Sequence, residues 1–198
     1  TPALKQAFTD AIAAGHGSVV QLCEGVYHLG YIEIRDFFGK MQGAGMDRTV
    51  IMVMNNLDTQ KLWDQHQTGN VIKFVGGNVR LSHFTIQTPP GRLSVTGPPQ
   101  GHTGSMLNFA TYNVFHELRN ENRSIHAVVD HVSFKGQPLA GGPGTTRGYN
   151  CAYAIHAGWE CWQLTDLPRE KVNLTVTNSE FDTLMIGASP QCRVNGPM

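Results

Sequence analysis

The sequence is poor in charged residues and has no excess of either sign. Asp, Glu, Lys and Arg make up 15% of its 198 residues, with 15 basic and 15 acidic side chains. A typical globular chain contains about a quarter charged residues. Because the charges balance, the chain offers no general attraction for nucleic acid or for an acidic membrane surface. We therefore expect no nucleic-acid partner.

Long apolar runs are also missing. No stretch of the sequence approaches the ~20 consecutive apolar residues that cross a bilayer, so we expect no membrane span. A basic segment followed by a short apolar segment, the usual pattern of a secretion signal, does not occur in this chain. Any such signal would lie outside it.

The four cysteines show no CxxC pair and no metal-ligand spacing with histidine. They are Cys23, Cys151, Cys161 and Cys192. Four cysteines allow three pairings or none. In an oxidising compartment we favour a disulfide between Cys151 and Cys161, which flank one loop. Free thiols that pack as small apolar side chains are an equal alternative.

The chain does contain many glycines, 22 in all, and a segment that recurs three times at spacings of 48 and 47 residues. The copies are Val79–Ile86, Ala127–Phe134 and Leu174–Phe181. Apolar residues occupy matching positions in each copy. Self-similarity at such a period is typical of a coiled β-architecture, in which each turn of chain covers the apolar face of the preceding one.

One polar residue recurs within each copy, at His83, His131 and Asn178. His and Asn are enriched at tight corners where the backbone is left-handed. We expect these three side chains to stack in a row along the coil axis. Their predicted role is structural rather than catalytic.

The N-terminus predicts a short amphipathic helix. Pro2 suits the first helical turn, where its missing N–H costs nothing, and Gly15 ends the pattern. The apolar residues of one helical face are Leu4, Ala7, Phe8, Ala11 and Ile12.

Two segments after this helix carry a resemblance to a known family. They are Gly17–Tyr27, with the letters GSVVQLCEGVY, and Gly43–Ile51, which contains two glycines followed by Thr-Val-Ile. Together with the helix, they resemble the opening of right-handed parallel β-helix proteins of the pectate lyase-like superfamily. That family commonly has proline where Cys23 stands here. The later repeats fit as well, so the resemblance extends over essentially the whole chain.

The resemblance implies three strands per coil and an all-β fold: a right-handed parallel β-helix, or solenoid, with a short N-terminal capping α-helix. We expect residues 1–198 to form a single domain. The predicted first strands of successive coils are Val19–Leu22, Val71–Val75, Met106–Ala110, Ala152–His156 and Leu184–Ala188. No segment near Met198 resembles a cap, so we expect that the helix continues, with this chain as its N-terminal part, or that another subunit or domain covers that end.

Long polar connections border the predicted first sheet. They are Asn55–Asn70, Thr88–Gly104, Tyr112–Arg123, Lys135–Asn150 and Gly158–Glu170. Loops of this length are usually functional or mobile. In the family they wall a groove that holds a sugar chain, and the alternative is a set of tolerated surface insertions.

Strand alternation predicts which side chains face this groove. One outward column is Gln21, Lys73, Asn108, Ala154 and Met185, and the next is Cys23, Val75, Ala110, His156 and Gly187. Lys73 and Asn108 should be neighbours, with His156 one coil on and diagonal. Loop residues that reach this cluster are expected at Arg92, Tyr112, His116, Arg147 and Tyr149.

These columns contain no Asp or Glu. They therefore lack the carboxylate pair of a glycosidase, the carboxylate cluster of a calcium-dependent lyase and the aspartate pair of the pectin esterases. Lys73, His156 and Asn108 instead suit metal-independent β-elimination on a uronic acid, with Lys73 or His156 as base and Asn108 binding the substrate. The Asp-Pro-His motif of alginate epimerases is absent. We expect no metal or cofactor.

A non-catalytic protein is the alternative: a sugar-binding module, or a structural part of an extracellular fibre or adhesin. The three tryptophans, Trp63, Trp159 and Trp162, fall in loops. Their rings suit stacking on sugars, and Trp159 is our candidate for that contact, although indoles that pin a loop to the coil would look the same. In either case we expect a polysaccharide or glycan partner and an extracellular or periplasmic location.

Overall fold

The structure is a computed structural model that describes residues 2–54, 71–89, 105–110, 124–136, 153–158, 171–182 and 186–191. Within these ranges the chain forms one α-helix followed by eleven β-strands. The elements are α1 (Pro2–Ala14), β1 (Ser18–Gln21), β2 (Gly25–Leu29), β3 (Ile32–Gln42), β4 (Thr49–Val53), β5 (Ile72–Gln87), β6 (Ser105–Ala110), β7 (Ser124–Lys135), β8 (Tyr153–Gly158), β9 (Lys171–Thr177), β10 (Glu180–Asp182) and β11 (Ile186–Gln191).

Helix α1 packs against one end of the sheet. Its Phe8 side chain is buried and meets the ring of Phe37 edge-on, with 5.1 Å between ring centroids. Gly15 ends the helix with a left-handed backbone, as the sequence predicts. Ile12 is exposed, so the apolar face is narrower than its spacing predicts and is centred on Phe8 and Ala11.

The strands form one curled sheet in which every described pairing is parallel. Strand β5 shows how the sheet curls, because its three stretches have different partners. Residues 72–75 pair with β3 and β6, residues 77–82 with β3 and β7, and residues 84–87 with β7 and partly with β4. The fold is therefore all-β, with one N-terminal helix and a parallel sheet curled into a half-barrel. This arrangement is compatible with a parallel β-helix.

Left-handed residues mark the bends between these stretches. At the first bend Asp36 and Gly76 have φ of 51° and 70°. A Cβ at the adjacent Gly77 would collide with the carbonyl of Phe37, so glycine is needed there.

At the second bend the predicted row of polar residues is confirmed. His83, His131 and Asn178 have φ of 62°, 51° and 47°. The two imidazole rings stack with centroids 5.0 Å apart and planes 4° apart. The amide of Asn178 continues the row by donating to Asp130 Oδ1 at 2.9 Å. The predicted stacking of residues nearly fifty apart is therefore present in the fold.

Aromatic and aliphatic side chains fill the inside of the curled sheet. The rings of Phe74 and Phe109 stack at 5.9 Å in neighbouring strands. Ile72, Leu107 and Ile155 occupy one inward register position and are fully buried. Each such side chain contributes about 1.5–3 kcal/mol through burial.

Three predicted strand placements need correction. Val19–Leu22 is not the partner of Val71–Val75, because β1 pairs with Gly39–Gln42 of β3 and the first stretch of β5 pairs with Ile32–Arg35. The alternation of apolar and polar residues in a short strand does not reveal which part of the sheet the strand pairs with, and this explains the error. Strand β8 is also displaced by two residues from the predicted register. Strand β11 is displaced by two more, because Ser189 and not Gly187 pairs with His156. A shift of two keeps the same side chains facing inward.

Candidate functional site

Four polar side chains lie in consecutive register across the outer face of the curled sheet. Glu33 of β3 pairs with Lys73 of β5, Lys73 with Asn108 of β6, and Asn108 with His156 of β8. Their sequence neighbours on both sides face the apolar interior, which fixes these four outward by strand alternation. We call this set the buried polar row.

The middle of the buried polar row is withdrawn from solvent. Lys73 is 5% exposed and Asn108 is 7% exposed, while Glu33 and His156 at the ends are half-buried. All six residues of β6 are buried, so this part of the sheet is covered on both faces. Charged side chains are rarely buried without a partner, and this explains the dense polar contacts that follow.

Glu33 is the centre of those contacts. Its Oε2 accepts from the hydroxyl of Tyr31 at 2.8 Å and lies 3.4 Å from Lys73 Nζ. Its Oε1 accepts from Arg35 Nε at 2.7 Å and also lies 2.7 Å from Arg35 Nη2. A single carboxylate therefore holds two cations and a phenol. With Lys73 and Arg35 both charged, this group carries one net positive charge.

The surroundings shift the pKa of each group. Burial would raise the pKa of Glu33, but Lys73, Tyr31 and Arg35 together lower it. Burial lowers the pKa of Lys73, and its attraction to Glu33 opposes that effect in part. Burial and the adjacent carboxylate raise the pKa of Tyr31. Glu33 is therefore ionised at neutral pH, and Tyr31 remains a hydrogen-bond donor.

The other end of the row is an amide–imidazole pair. Asn108 Nδ2 lies 3.0 Å from Nδ1 of His156. The two groups are within hydrogen-bond distance, and the tautomer of the imidazole ring determines which of them donates. Asn108 Oδ1 is buried and has no hydrogen-bond partner. A buried acceptor without a partner costs about 1–3 kcal/mol, so it marks a place where a ligand or water is favoured.

The row offers cations, an amide, an imidazole and one carboxylate. The expectation that no carboxylate lies here is wrong, because Glu33 is part of the row. A single carboxylate still does not make the acid–base pair of a glycosidase. Among the described residues, no group of three or more His, Cys, Asp or Glu side chains could hold a metal ion.

The structure brings together three of the predicted site residues. Lys73 and Asn108 are register neighbours, as expected. His156 is directly beside Asn108 and not diagonal to it, because β8 is displaced by two residues.

Glu33 was missed, although a signal for it exists in the sequence. Ile32-Glu33-Ile34 has the same apolar–polar–apolar pattern as Ile72-Lys73-Phe74 and Leu107-Asn108-Phe109. The first two triplets also precede the first bend, at Asp36 and at Gly76.

The remaining candidates lie outside the described residues. They are Arg92, Tyr112, His116, Arg147, Tyr149 and Trp159, together with Trp63, Trp162, Cys151, Cys161, Cys192 and almost all of the long connections. Cys23 lies within the described part of the chain and is an exposed free thiol.

Comparison with protein-family models, with curated proteins and with solved structures gave no match to this chain. Within the described ranges, no helix has the length and apolar character required to cross a membrane.

Proposed function

We propose that the protein is a carbohydrate-active, right-handed parallel β-helix of the pectate lyase-like kind that acts outside the cytoplasm. Its proposed activity is metal-independent β-elimination on a polyuronate. The fold part of this proposal is supported by the three differently paired stretches of β5 and by the stacked bend residues. The resemblance of Gly17–Tyr27 and Gly43–Ile51 to that superfamily adds to it.

One observation carries the proposed activity: Lys73, Asn108 and His156 occupy consecutive strands at one register position. β-Elimination needs a positive group to stabilise the negative charge that develops on the carboxylate, and a base of near-neutral pKa. Lys73, supported by Arg35 beside it, supplies the positive charge. His156 supplies the base.

Lys73 is less suited to be the base than the sequence suggests. Although burial lowers its pKa, its ammonium lies 3.4 Å from ionised Glu33, which favours the charged form. We therefore assign proton removal to His156. In the reaction His156 takes the C5 proton of the uronate, the C4–O bond breaks, a C4=C5 double bond forms, and the leaving oxygen takes a proton from water.

A non-catalytic role is the second candidate, and the burial of the row favours it. The Glu33–Lys73 and Asn108–His156 contacts are made within the protein, as they would be in a polar ladder that only joins neighbouring strands. Such a chain would be a sugar-binding module or a structural part of an extracellular fibre or adhesin.

Product formation separates the two candidates. The wild-type protein is incubated with polygalacturonate and with alginate, without added metal and with a chelator, and ultraviolet absorbance from unsaturated chain ends is followed. We expect product from one of these polymers and a loss of at least about 10²-fold in rate for His156→Ala. His156→Gln keeps a polar side chain in case the alanine variant does not fold.

His126→Ala is the matched control, because His126 is exposed on the neighbouring part of the sheet. Its rate should equal that of the wild type. Binding of polymer without product, unaltered in both His156 variants, would contradict the lyase proposal and favour the sugar-binding module.

A further inference from the structure

The outer face of the sheet beyond the first bend carries two cations side by side. Lys40 of β3 and Arg80 of β5 are register partners. Their sequence neighbours are buried, so strand alternation turns both side chains outward, where they are exposed. They lie on two of the strands that carry the buried polar row, but beyond the bend at Asp36 and Gly76. This face is therefore separate from the row.

The two charges of this pair have the same sign and are not neutralised. Neighbouring strands lie about 4.8 Å apart, and like charges at that spacing repel each other. In the part of the chain that the structure describes, neither Lys40 nor Arg80 forms an ion pair or a side-chain hydrogen bond. The fold therefore keeps an arrangement that costs stability, and such a departure is expected where a protein binds a ligand.

Neutral side chains surround the pair. The six adjacent positions on this face are occupied by Val19, Val128, Phe38, Asn78, Gln42 and Ser82. Asp130 of β7 lies diagonal to Arg80, but its Oδ1 accepts from Thr177 at 2.7 Å and from Asn178 at 2.9 Å. The carboxylate of Asp130 is therefore engaged at the second bend and leaves the charge of the pair uncompensated.

Exposed apolar groups lie beside the cations. Val19, the register neighbour of Lys40 on β1, is 50% exposed. Phe38, two residues before Lys40 on the same face, is 38% exposed, and the ring of His16 stacks on it with 4.4 Å between centroids. A ligand that matches this face has anionic groups on a framework with apolar faces.

An acidic polysaccharide has this chemistry. Its carboxylates accept hydrogen bonds from Lys and Arg, and the C–H faces of its sugar rings pack on aromatic and aliphatic side chains. A nucleic acid fits less well, because affinity for its backbone grows with the number of phosphates that basic side chains neutralise. The pair of Lys40 and Arg80 supplies two charges.

We propose that Lys40 and Arg80, with Val19 and Phe38 beside them, form a second binding surface for an acidic polysaccharide, outside the buried polar row. The choice of polymer rests on the proposed function, since the ligand is the polyuronate assigned to the row. A long chain held at this surface keeps the protein on its polymer while the row acts.

The first test measures binding without catalysis. Native electrophoresis through gels that contain polygalacturonate or alginate is run in the His156→Gln background, which lacks the proposed base. Lys40→Gln/Arg80→Gln should raise the Kd at least about tenfold, because two charge-assisted contacts are removed. Lys5→Gln/Arg48→Gln makes the same charge change at exposed positions on α1 and before β4, and should leave the Kd unchanged. Equal retardation of the two double variants would overturn the proposal.

Arg80→Glu separates the loss of binding from a loss of folding. It places an opposite charge beside Lys40, so the Tm at low salt should rise while binding of the polyuronate weakens. A raised Tm with unchanged binding would contradict the proposed surface.

Two further ligands define the partner. The methyl ester of the same polymer, which has the same sugars without the charge, and a DNA duplex should each bind more weakly than the free acid. Binding of either one as tightly as the free acid would overturn the assignment of an acidic polysaccharide.

The binding surface and the lyase activity can fail separately. Weakened binding in Lys40→Gln/Arg80→Gln, with no unsaturated product from the wild type, would support the surface and contradict the lyase. Product from the wild type, with binding unaffected by that double variant, would support the lyase and contradict the surface.

Discussion

The outer face of the sheet presents an Asn–His pair twice, once buried and once exposed. Asn108 and His156 are register partners in the buried polar row, and Asn78 and His126 are register partners on the next part of the sheet. The first pair is hydrogen-bonded at 3.0 Å. Asn78 and His126 are both exposed and form no hydrogen bond with each other.

This difference shows that burial, and not residue type, makes these side chains interact. In water each polar group is hydrated, so a contact between two exposed side chains gains little. Away from water the same groups must find partners within the protein. The buried polar row is therefore the place where changing one side chain has consequences for its neighbours, and the exposed row (Phe38, Asn78, His126 and Asn173) is its natural control.

The largest expected effect comes from removing the carboxylate of the buried row. Glu33→Gln leaves Lys73 buried without an opposite charge, and we expect a loss of about 3 kcal/mol in the free energy of unfolding. Urea denaturation followed by circular dichroism measures it. The double variant Glu33→Gln/Lys73→Met should recover most of the loss, since both charges are then absent. A loss below about 0.5 kcal/mol for the single variant would mean that the two rows do not differ.

A smaller loss of stability is expected when the pH is lowered. The pKa of Glu33 is lowered in the fold, so its contribution to stability is fully present above the ordinary value of 4.5 and disappears as the pH falls through the lower folded value. Thermal unfolding measured across this range should show a steeper loss for the wild type than for Glu33→Gln.

Asp130 sharpens this comparison on the exposed side. Hydrogen bonds from Thr177, Asn178 and His131 lower the pKa of Asp130. Its ionised form therefore also stabilises the fold, and this contribution is lost as the pH falls. Asp130→Asn should reduce the loss of thermal stability at low pH by less than Glu33→Gln does, because solvent screens the contacts of Asp130. An equal or larger reduction for Asp130→Asn would contradict the conclusion that burial makes the contacts of Glu33 more important.

The smallest effect is expected in the exposed row. His126→Ala and Asn78→Ala should each change the free energy of unfolding by less than about 0.5 kcal/mol, because water already hydrates both side chains. Chemical denaturation of the two variants beside Asn108→Ala checks this. A loss for the exposed pair as large as for Asn108→Ala would remove the distinction between the rows.

The repeat in the sequence was enough to predict the second bend. His83, His131 and Asn178 recur with the same apolar neighbours, and this pattern identifies side chains that form a row when the sheet curls. Strand alternation, within the strand frame that the resemblance implies, predicted Lys73 beside Asn108.

The register of the row could not be predicted in full. Val20 and Ile34 are both buried residues in alternating segments, and alternation gives the inward face without saying which stretch of the sheet a strand joins. Glu33 was missed for this reason. His156 was predicted one outward position away from its observed place beside Asn108. A shift of two residues leaves the alternation unchanged, so the sequence does not reveal it.

The chain length between the bends has a consequence for how this protein changes during evolution. The same interval separates Gly77 from His83, Ile125 from His131 and Val172 from Asn178. One extra residue inside any of these intervals would turn every following side chain to the opposite face. New sequence is therefore tolerated only between the strands, where it leaves the register of the curled sheet unchanged.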